Sequence, residues 1–93
     1  MIRTFHGRGT ERLWKRERVK EFENIAAVAL RRLTALDSAQ TLTDLLIPPG
    51  NRLETLLGDR QGQHSIRIND QYRICFTWKE ENAYDVEITK HYQ

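Results

Sequence analysis

The sequence of 93 residues contains a single cysteine, Cys75, so no disulfide can form within the chain. Because free cysteine is typical of a reducing compartment, we expect a cytoplasmic protein. No apolar run approaches the roughly 20 residues that a membrane span needs, and residues 1–5 carry no signal-peptide hydrophobic segment. The length suits a single domain over residues 1–93, with a modest core that a binding partner would further stabilise.

The sequence also lacks the common signatures of metal, nucleotide and serine chemistry. Three histidines and one cysteine are too scattered for a zinc site, and the five glycines form no phosphate-binding loop. No Gly-x-Ser-x-Gly motif occurs. We therefore expect no metal and no cofactor. An enzyme with this sequence would rely on arginine, histidine and tyrosine, which suits RNA cleavage because the 2′-hydroxyl of RNA supplies the nucleophile.

The spacing of apolar residues changes at the turn-forming segment 48–51. Before it, apolar residues recur every three or four positions, which predicts a helix over 25–36 and a shorter one around 13–14. After it, apolar and polar residues alternate, which predicts short antiparallel strands, and residues 2–5 form a further short strand. The sequence thus predicts an α+β fold, with two N-terminal helices packed on one face of a mainly antiparallel β-sheet.

Two predicted turns, residues 69–71 and 80–82, join the last three strands. Paired residues must share a face of the sheet, so matching the apolar faces requires a loop with an odd number of residues at each turn. The resulting partners are Ile68 and Tyr72, Ile66 and Ile74, Trp78 and Tyr84, Phe76 and Val86, Ile74 and Ile88, and Arg73 and Thr89.

This register places two arginines, Arg67 and Arg73, directly opposite each other, with His91 diagonally near the second. Like charges across a strand pair destabilise a sheet by roughly 0.2–1 kcal/mol. A phosphate between the two arginines would remove that penalty because it fits the fork of a guanidinium group. Alternatively, a carboxylate such as Asp85 or Glu87 neutralises the pair.

The remaining candidates for chemistry are few. His91 can act as general acid or base, and Tyr92 can stack on a nucleobase or donate a proton. Such a pair near a C-terminus is often incidental, but its predicted place beside the arginines points to function. We expect His64 to be a partly buried structural residue, His6 to have no partner, and Cys75 to be a buried packing residue rather than a reactive thiol.

A combined motif resembles one known family. Residues 58–62 read G-D-R-Q-G, residues 65–69 read S-I-R-I-N, and residues 72–76 read Y-R-I-C-F. With residues 1–5, 36–39 and 48–54, this pattern is similar to the HigB toxins of the HigB/RelE family, particularly the GraT-like members. The resemblance implies a RelE-like fold and metal-independent cleavage of mRNA in the ribosomal A site. It also implies a HigA-type helix-turn-helix antitoxin. The toxin would contact DNA only indirectly, through this antitoxin.

The resemblance also implies roles for single residues. Arg73 matches the family's arginine in the corresponding strand, and Tyr92 matches the tyrosine near the C-terminus, both of which would contact or orient RNA. Several members carry a histidine and a lysine before the Gly-Asp-Arg motif, where this chain has Glu54 and Leu57. Many members also end in Asp-Tyr-His, where this chain has His91-Tyr92-Gln93. Either His91 or Glu54 then serves as the base, or cleavage is weak.

Further basic residues are candidates for RNA binding. Residues 8–20 hold six basic side chains against two acidic ones. This stretch could contact ribosomal RNA, meet an acidic patch on the antitoxin, or form a solvated helix face. The candidate RNA-binding residues are Arg12, Lys15, Arg16, Arg60 and Arg67.

Two other functions fit the same sequence. A relative that occupies the ribosome without cutting would lack the family's histidine and lysine, as this chain does. A toxin of the same fold that acts on DNA gyrase is a third reading, which the HigB motif disfavours.

Overall fold

The computed structural model describes residues 1–90 and shows two helices followed by a four-stranded sheet. Four short 3₁₀ helices lie between these elements, and no helix in residues 1–90 is long and apolar enough to span a bilayer. The sheet is antiparallel with the order β1-β2-β3-β4. This confirms the α+β fold predicted from the sequence. The elements are α1 (Arg8–Trp14), α2 (Ala26–Ser38), β1 (Glu54–Thr55), β2 (His64–Arg67), β3 (Tyr72–Lys79) and β4 (Asn82–Lys90).

The core lies between the helices and one face of the sheet. The predicted apolar stripe of α2 is buried there, with Ala29, Leu33 and Leu36 fully enclosed. Burying a leucine or isoleucine side chain contributes about 1.5–3 kcal/mol, so this contact is the main stabilising element. The first helix is tied to the sheet because the backbone N–H of Ile88 donates to the hydroxyl of Thr10 at 2.9 Å. One face of the sheet is therefore covered by helices, and the polar side chains of the strands lie on the other face.

The hairpin between β2 and β3 has the predicted register. Ile66 pairs with Ile74, and Arg67 lies opposite Arg73. The side chain of Asn69 closes the turn by accepting hydrogen bonds from two backbone N–H groups, at 2.8 and 2.9 Å. Such an Asx turn explains why this short loop holds the two arginines in fixed opposition.

The hairpin between β3 and β4 differs from the prediction near its turn. Trp78 pairs with Ala83 rather than Tyr84, and Tyr84 lies opposite Thr77. The loop has two residues instead of three, because Lys79 already pairs with Asn82. An even loop alone would turn every later side chain of β4 to the wrong face.

A β-bulge in β4 restores the predicted register further along. The pairing shifts by one residue between Cys75 and Thr77, and Asp85 adopts a left-handed backbone conformation with φ of 53°. Beyond the bulge, Ile74 pairs with Ile88 and Arg73 with Thr89, as predicted. An odd loop and an even loop with one bulge satisfy the same apolar alternation, so the sequence pattern does not distinguish them.

The turn itself carries backbone strain that can be removed. Glu80 and Glu81 have φ values of 50° and 68°, the signature of a turn that favours Asn-Gly. A left-handed conformation costs roughly 1–2 kcal/mol per ordinary residue. We expect the double variant Glu80→Asn, Glu81→Gly to raise the free energy of unfolding by about 1 kcal/mol in urea titrations. The matched variant Glu80→Gln, Glu81→Gln should leave it unchanged, and equal stability of both variants would contradict this turn geometry.

Two shorter predicted strands are reduced in the structure. Residues 2–5 form isolated parallel bridges, Ile2 to Ala83 and Phe5 to Val86, along the outer edge of β4. The alternation after residues 48–51 also predicts a strand that contains Leu53 and Leu56, of which only Glu54–Thr55 pair with β2. The N-terminal segment matters for the site because its pairing brings His6 beside β4, where the His6 N–H donates to the Val86 carbonyl at 3.0 Å.

Candidate functional site

The sheet face turned away from the helices carries polar residues in two rows, and we call it the open face. One row crosses all four strands through Glu54, Ser65, Cys75 and Glu87. The next row crosses β2 to β4 through the two arginines and a threonine. Thr77 follows on the same side of β3. The members of the open face are Glu54, Ser65, Arg67, Arg73, Cys75, Thr77, Glu87 and Thr89.

A cavity of about 170 Å³ lies at the arginine row, and we call it the arginine pocket. Three arginines and two carboxylates line it, so positive charges outnumber negative ones. The loop residues Arg52, Asn69 and Asp70 were not predicted as part of the site, because no alternation marks residues outside strands. The lining residues are Arg52, Glu54, Ser65, Arg67, Asn69, Asp70 and Arg73. Concave and basic, the pocket suits an anion that guanidinium groups can chelate.

The two opposed arginines differ in their partners. Arg67 forms an ion pair with Asp70, so a carboxylate does neutralise one member of the pair, although neither Asp85 nor Glu87 does. Arg73 forms no ion pair with any residue in 1–90, and its Nε is buried without a hydrogen-bond partner there. A buried donor left unpaired costs about 1–3 kcal/mol. An acceptor supplied by a ligand would remove that cost.

Arg60 lies apart from the arginine pocket. Its Nη2 contacts Glu87 Oε1 and its Nη1 donates to Gln63 Oε1, both at 3.0 Å. This predicted RNA-binding residue is therefore held by two acceptors and is not among the residues that line the arginine pocket.

Cys75 lies fully buried between these groups, which confirms its predicted role as a packing residue. Burial raises the pKa of the thiol, and the nearby Arg60 and Arg73 act in the opposite direction more weakly. The thiol is therefore protonated near neutral pH and is no nucleophile.

His64 lies on the other side of β2, facing the core, and is partly buried as predicted. Its ring centroid is 6.0 Å from that of Phe76, and its Nδ1 is 3.2 Å from the hydroxyl of Thr55. Burial lowers the pKa of His64 below the ordinary value of 6.5. This histidine is structural and takes no part in the arginine pocket.

The lowered pKa of His64 predicts a pH dependence of stability. Between pH 6.5 and the lowered pKa the unfolded chain binds a proton more readily than the folded protein does, so stability falls as the pH drops across this window. We expect the variant His64→Phe to lose less stability than the parent between neutral and mildly acidic pH, in urea titrations at each pH. The exposed His6 offers a control, because the variant His6→Phe keeps His64. Its stability should still show the pH dependence that His64 causes. An unchanged pH profile in His64→Phe would contradict the assignment.

The predicted basic residues near the N-terminus lie outside the arginine pocket and have local partners. Arg12 and Lys15 form exposed ion pairs with Glu17 and Glu11, at 3.2 and 3.8 Å. The guanidinium carbon of Arg16 lies 5.5 Å from the ring centroid of the neighbouring tryptophan. All three basic side chains are exposed, as a solvated helix face or an electrostatic contact surface would require.

The remaining predicted residues have different outcomes. Glu54 lines the arginine pocket together with Arg73, so the structure brings these two candidates together. Leu57 points outward with 82% of its surface exposed. The predicted catalytic residues His91 and Tyr92 lie outside the described residues.

A second and wider cavity opens at the other end of the open face, and we call it the polar cavity. Its volume is about 670 Å³, and it contains the Arg60–Glu87 pair. His6 lies at this cavity, with its Nε2 4.0 Å from Glu87 Oε2, although the sequence indicated no partner for it. No group of three His, Cys, Asp or Glu side chains in residues 1–90 is arranged to hold a metal ion. The lining residues are His6, Asp59, Arg60, Gln61, Gln63, Thr77, Asp85 and Glu87.

Solved structures share this fold. A YoeB-YefM complex from Staphylococcus aureus matches with a TM-score of 0.58 and 16% identity, over 99% of both chains. A heterotetrameric YoeB-YefM toxin-antitoxin complex from the same organism matches with a TM-score of 0.56 and 15% identity, over 100% of this chain and 99% of the other. Two helices on a four-stranded antiparallel sheet are thus a fold that this chain shares with chains of the YoeB-YefM complexes.

The sequence comparisons identify the family. Residues 3–91 match the model of HigB-like toxins, described as the RelE-like toxin of the type II toxin-antitoxin system HigB. Toxin HigB-1 of Vibrio cholerae serotype O1 is 44% identical over 68 residues, which are 73% of this chain and 72% of that toxin. The chain belongs to the HigB family of RelE-like type II toxins. The resemblance seen in its motifs is confirmed.

Proposed function

We propose that this toxin is a metal-independent endoribonuclease that cuts mRNA in the ribosomal A site. The observation that carries the proposal is the arginine pocket, where Arg73 faces Arg67 across a strand pair and keeps a buried Nε without a partner among residues 1–90. A protein that needs only stability has little reason to keep two like charges there. An RNA phosphate offers the acceptor oxygen that Arg73 Nε lacks among residues 1–90, and Arg67, which is paired with Asp70, lies opposite to contact the same phosphate.

The pocket also contains a group that can move a proton. Glu54 would take the proton of the 2′-hydroxyl as that oxygen attacks phosphorus, and Arg73 would stabilise the charge that grows on the phosphorane oxygens. The 5′-oxygen then leaves with the proton that Glu54 took up, giving a 2′,3′-cyclic phosphate and a 5′-hydroxyl. His91, outside the described residues, is the alternative donor or acceptor of these protons, with Tyr92 as a stacking partner for a base.

We further propose an antitoxin partner of the HigA helix-turn-helix type, which membership in the HigB family supports. The structural neighbours are YoeB toxins in complex with YefM, so binding of an antitoxin to this fold is established for those proteins. We propose that the antitoxin of this toxin neutralises it in the cytoplasm and carries the only contact of the complex with DNA. The exposed Arg12, Lys15 and Arg16 offer a basic surface to an acidic antitoxin or to ribosomal RNA.

A second candidate function is inhibition of translation by ribosome binding without cleavage. Glu54 and the exposed Leu57 lie at the positions where several family members carry a histidine and a lysine. The loss of these two residues favours the non-cleaving inhibitor. A phosphate could still bind to the arginine pocket while proton transfer stays slow. Action on DNA gyrase is a third possibility, with no supporting feature in the arginine pocket.

One experiment separates these functions. Purified toxin is added to programmed ribosomes that carry end-labelled mRNA, in parallel with ribosome pelleting and a gyrase supercoiling assay. Site-specific fragments with a cyclic phosphate end support the endoribonuclease. Binding to ribosomes without fragments supports the non-cleaving inhibitor, and inhibition of supercoiling alone would replace both. Steep loss of ribosome binding with added salt would show that phosphate contacts dominate.

A further inference from the structure

The polar cavity lies on the same face as the arginine pocket, with the buried Cys75 between them. Along β3, Arg73 and Thr77 are four residues apart, which is about 13 Å in a strand. An RNA strand held by the arginine pair would therefore reach the polar cavity with a neighbouring nucleotide. The volume of about 670 Å³ lies within the roughly 300–1,000 Å³ of small-ligand pockets.

The groups in the polar cavity suit a nucleobase better than a phosphate. Its one arginine is already engaged, since Arg60 contacts both Glu87 and Gln63 at 3.0 Å. Asp59 and Asp85 are exposed and form no ion pair with any residue in the described part of the chain. Around a fixed ion pair, the cavity thus offers two carboxylates that have no ion pair within residues 1–90, and the side-chain amide of Gln61. These groups would repel a phosphate and accept hydrogen bonds from N–H donors.

The bulge in β4 gives the cavity one of these groups. Asp85 is the bulged residue with a φ of 53°, and its backbone N–H donates to the hydroxyl of Thr4 at 2.8 Å instead of to β3. A bulge redirects the side chain of the extra residue, here into the lining of the cavity. His6 is placed at the same cavity by the N-terminal bridges, with its ring exposed for stacking.

We propose that the polar cavity selects a nucleobase with an exocyclic amino group, guanine most strongly, beside the phosphate that is cut. A carboxylate accepts hydrogen bonds from exocyclic amino groups, which uracil lacks. Guanine presents two adjacent N–H groups on its Watson–Crick edge, which match the two oxygens of one carboxylate. Adenine and cytosine present one amino group each. The proposal rests on the proposed function for its biological meaning, but the cavity's preference among bases can be measured without cleavage.

The test is a titration of isotope-labelled toxin with the four ribonucleosides, followed by amide chemical shifts. Nucleosides lack phosphate, so they cannot occupy the arginine pocket as a phosphate would. Guanine bound there through O6 and N7 would shift amides at Arg67 and Arg73 and would count against the polar cavity. We expect guanosine to shift amides at Asp59, Gln61 and Asp85, with a dissociation constant about tenfold below that of uridine. The variant Asp59→Asn, Asp85→Asn should abolish this preference while the protein stays folded, because asparagine also tolerates a positive φ. The control Glu80→Gln, Glu81→Gln removes two carboxylates outside the cavity and should keep the preference.

Cleavage mapping gives the second readout. If the toxin cuts mRNA, the Asp59→Asn, Asp85→Asn variant should keep cutting but at sites with altered base composition. Equal shifts with all four nucleosides, or none, would overturn the base-selecting subsite even if cleavage is found. Shifts caused only by a polyamine or a basic peptide would assign the cavity to a cationic partner instead. Absence of cleavage with an intact preference for guanosine would reject the proposed function and leave the cavity's selectivity standing.

Discussion

Replacing Arg73 with methionine is expected to reduce cleavage of ribosome-bound mRNA by about 100-fold or more, the cost of removing one donor to transition-state charge. Methionine keeps an unbranched apolar stem in the space of the arginine stem, so packing over Cys75 is largely kept. The guanidinium fork is lost, together with its buried Nε, which has no hydrogen-bond partner among residues 1–90. The rate is measured as fragment accumulation on programmed ribosomes under single-turnover conditions.

The stability of the Arg73→Met variant is a second readout, because stability should be kept or rise while cleavage falls. Removing one charge of the Arg67–Arg73 pair relieves a cross-strand repulsion of roughly 0.2–1 kcal/mol, so the free energy of unfolding should not fall. The matched control is Arg31→Met, an exposed position on α2, which should leave both cleavage and stability unchanged. Loss of cleavage together with unfolding would show that Arg73 is structural, and full cleavage by the variant would exclude it from the site.

Replacing Glu54 with glutamine has the second large expected effect, a reduction of cleavage by about 100-fold or more, as expected when a general base is removed. Glutamine has nearly the same shape but cannot take the proton of the 2′-hydroxyl. Because Glu54 is exposed and lies at the end of a two-residue strand, stability should change little. Affinity for the ribosome should also be retained, since the arginines remain.

The control for Glu54 is Glu23→Gln, which removes an exposed carboxylate paired with Arg18, far along the chain from the arginine pocket. It should cut mRNA like the parent. If Glu54→Gln also cuts like the parent, the base is another group, and His91 becomes the first residue to replace. If neither variant nor the parent cuts, the exposed Leu57 at the family's lysine position supports the non-cleaving inhibitor.

The sequence was sufficient to predict the arginine pair at the centre of the candidate site. Alternation in β2 and β3, together with the short turn at Asn69, determined that Arg67 and Arg73 oppose each other, because a slip of one residue would expose Ile66 and Ile74. The fold followed from the same patterns. The arrangement of the arginine pair is thus a direct consequence of burying the apolar face of the sheet.

The parts that the sequence did not predict depend on backbone irregularity and on distant contacts. The bulge at Asp85 is compatible with the same alternation as an odd loop, so the partner of Trp78 was predicted incorrectly. Arg52 lines the arginine pocket from a loop, with a φ of 46°, and no periodic pattern of the sequence predicts its position. His6 comes to the polar cavity through parallel bridges between the N-terminus and β4, a contact between distant parts of the chain. Such deviations from local rules tend to cluster at functional sites.

The most direct test of the central claim uses an mRNA with one 2′-deoxynucleotide at the position that is cut. If the open face positions RNA so that its own 2′-hydroxyl attacks the phosphate held by Arg67 and Arg73, the all-ribose message is cut in the A site and the substituted message is bound but left intact. Cleavage of the substituted message at the same bond would contradict attack by the 2′-hydroxyl. Failure to cut the all-ribose message on a ribosome that binds the toxin would contradict the endoribonuclease itself.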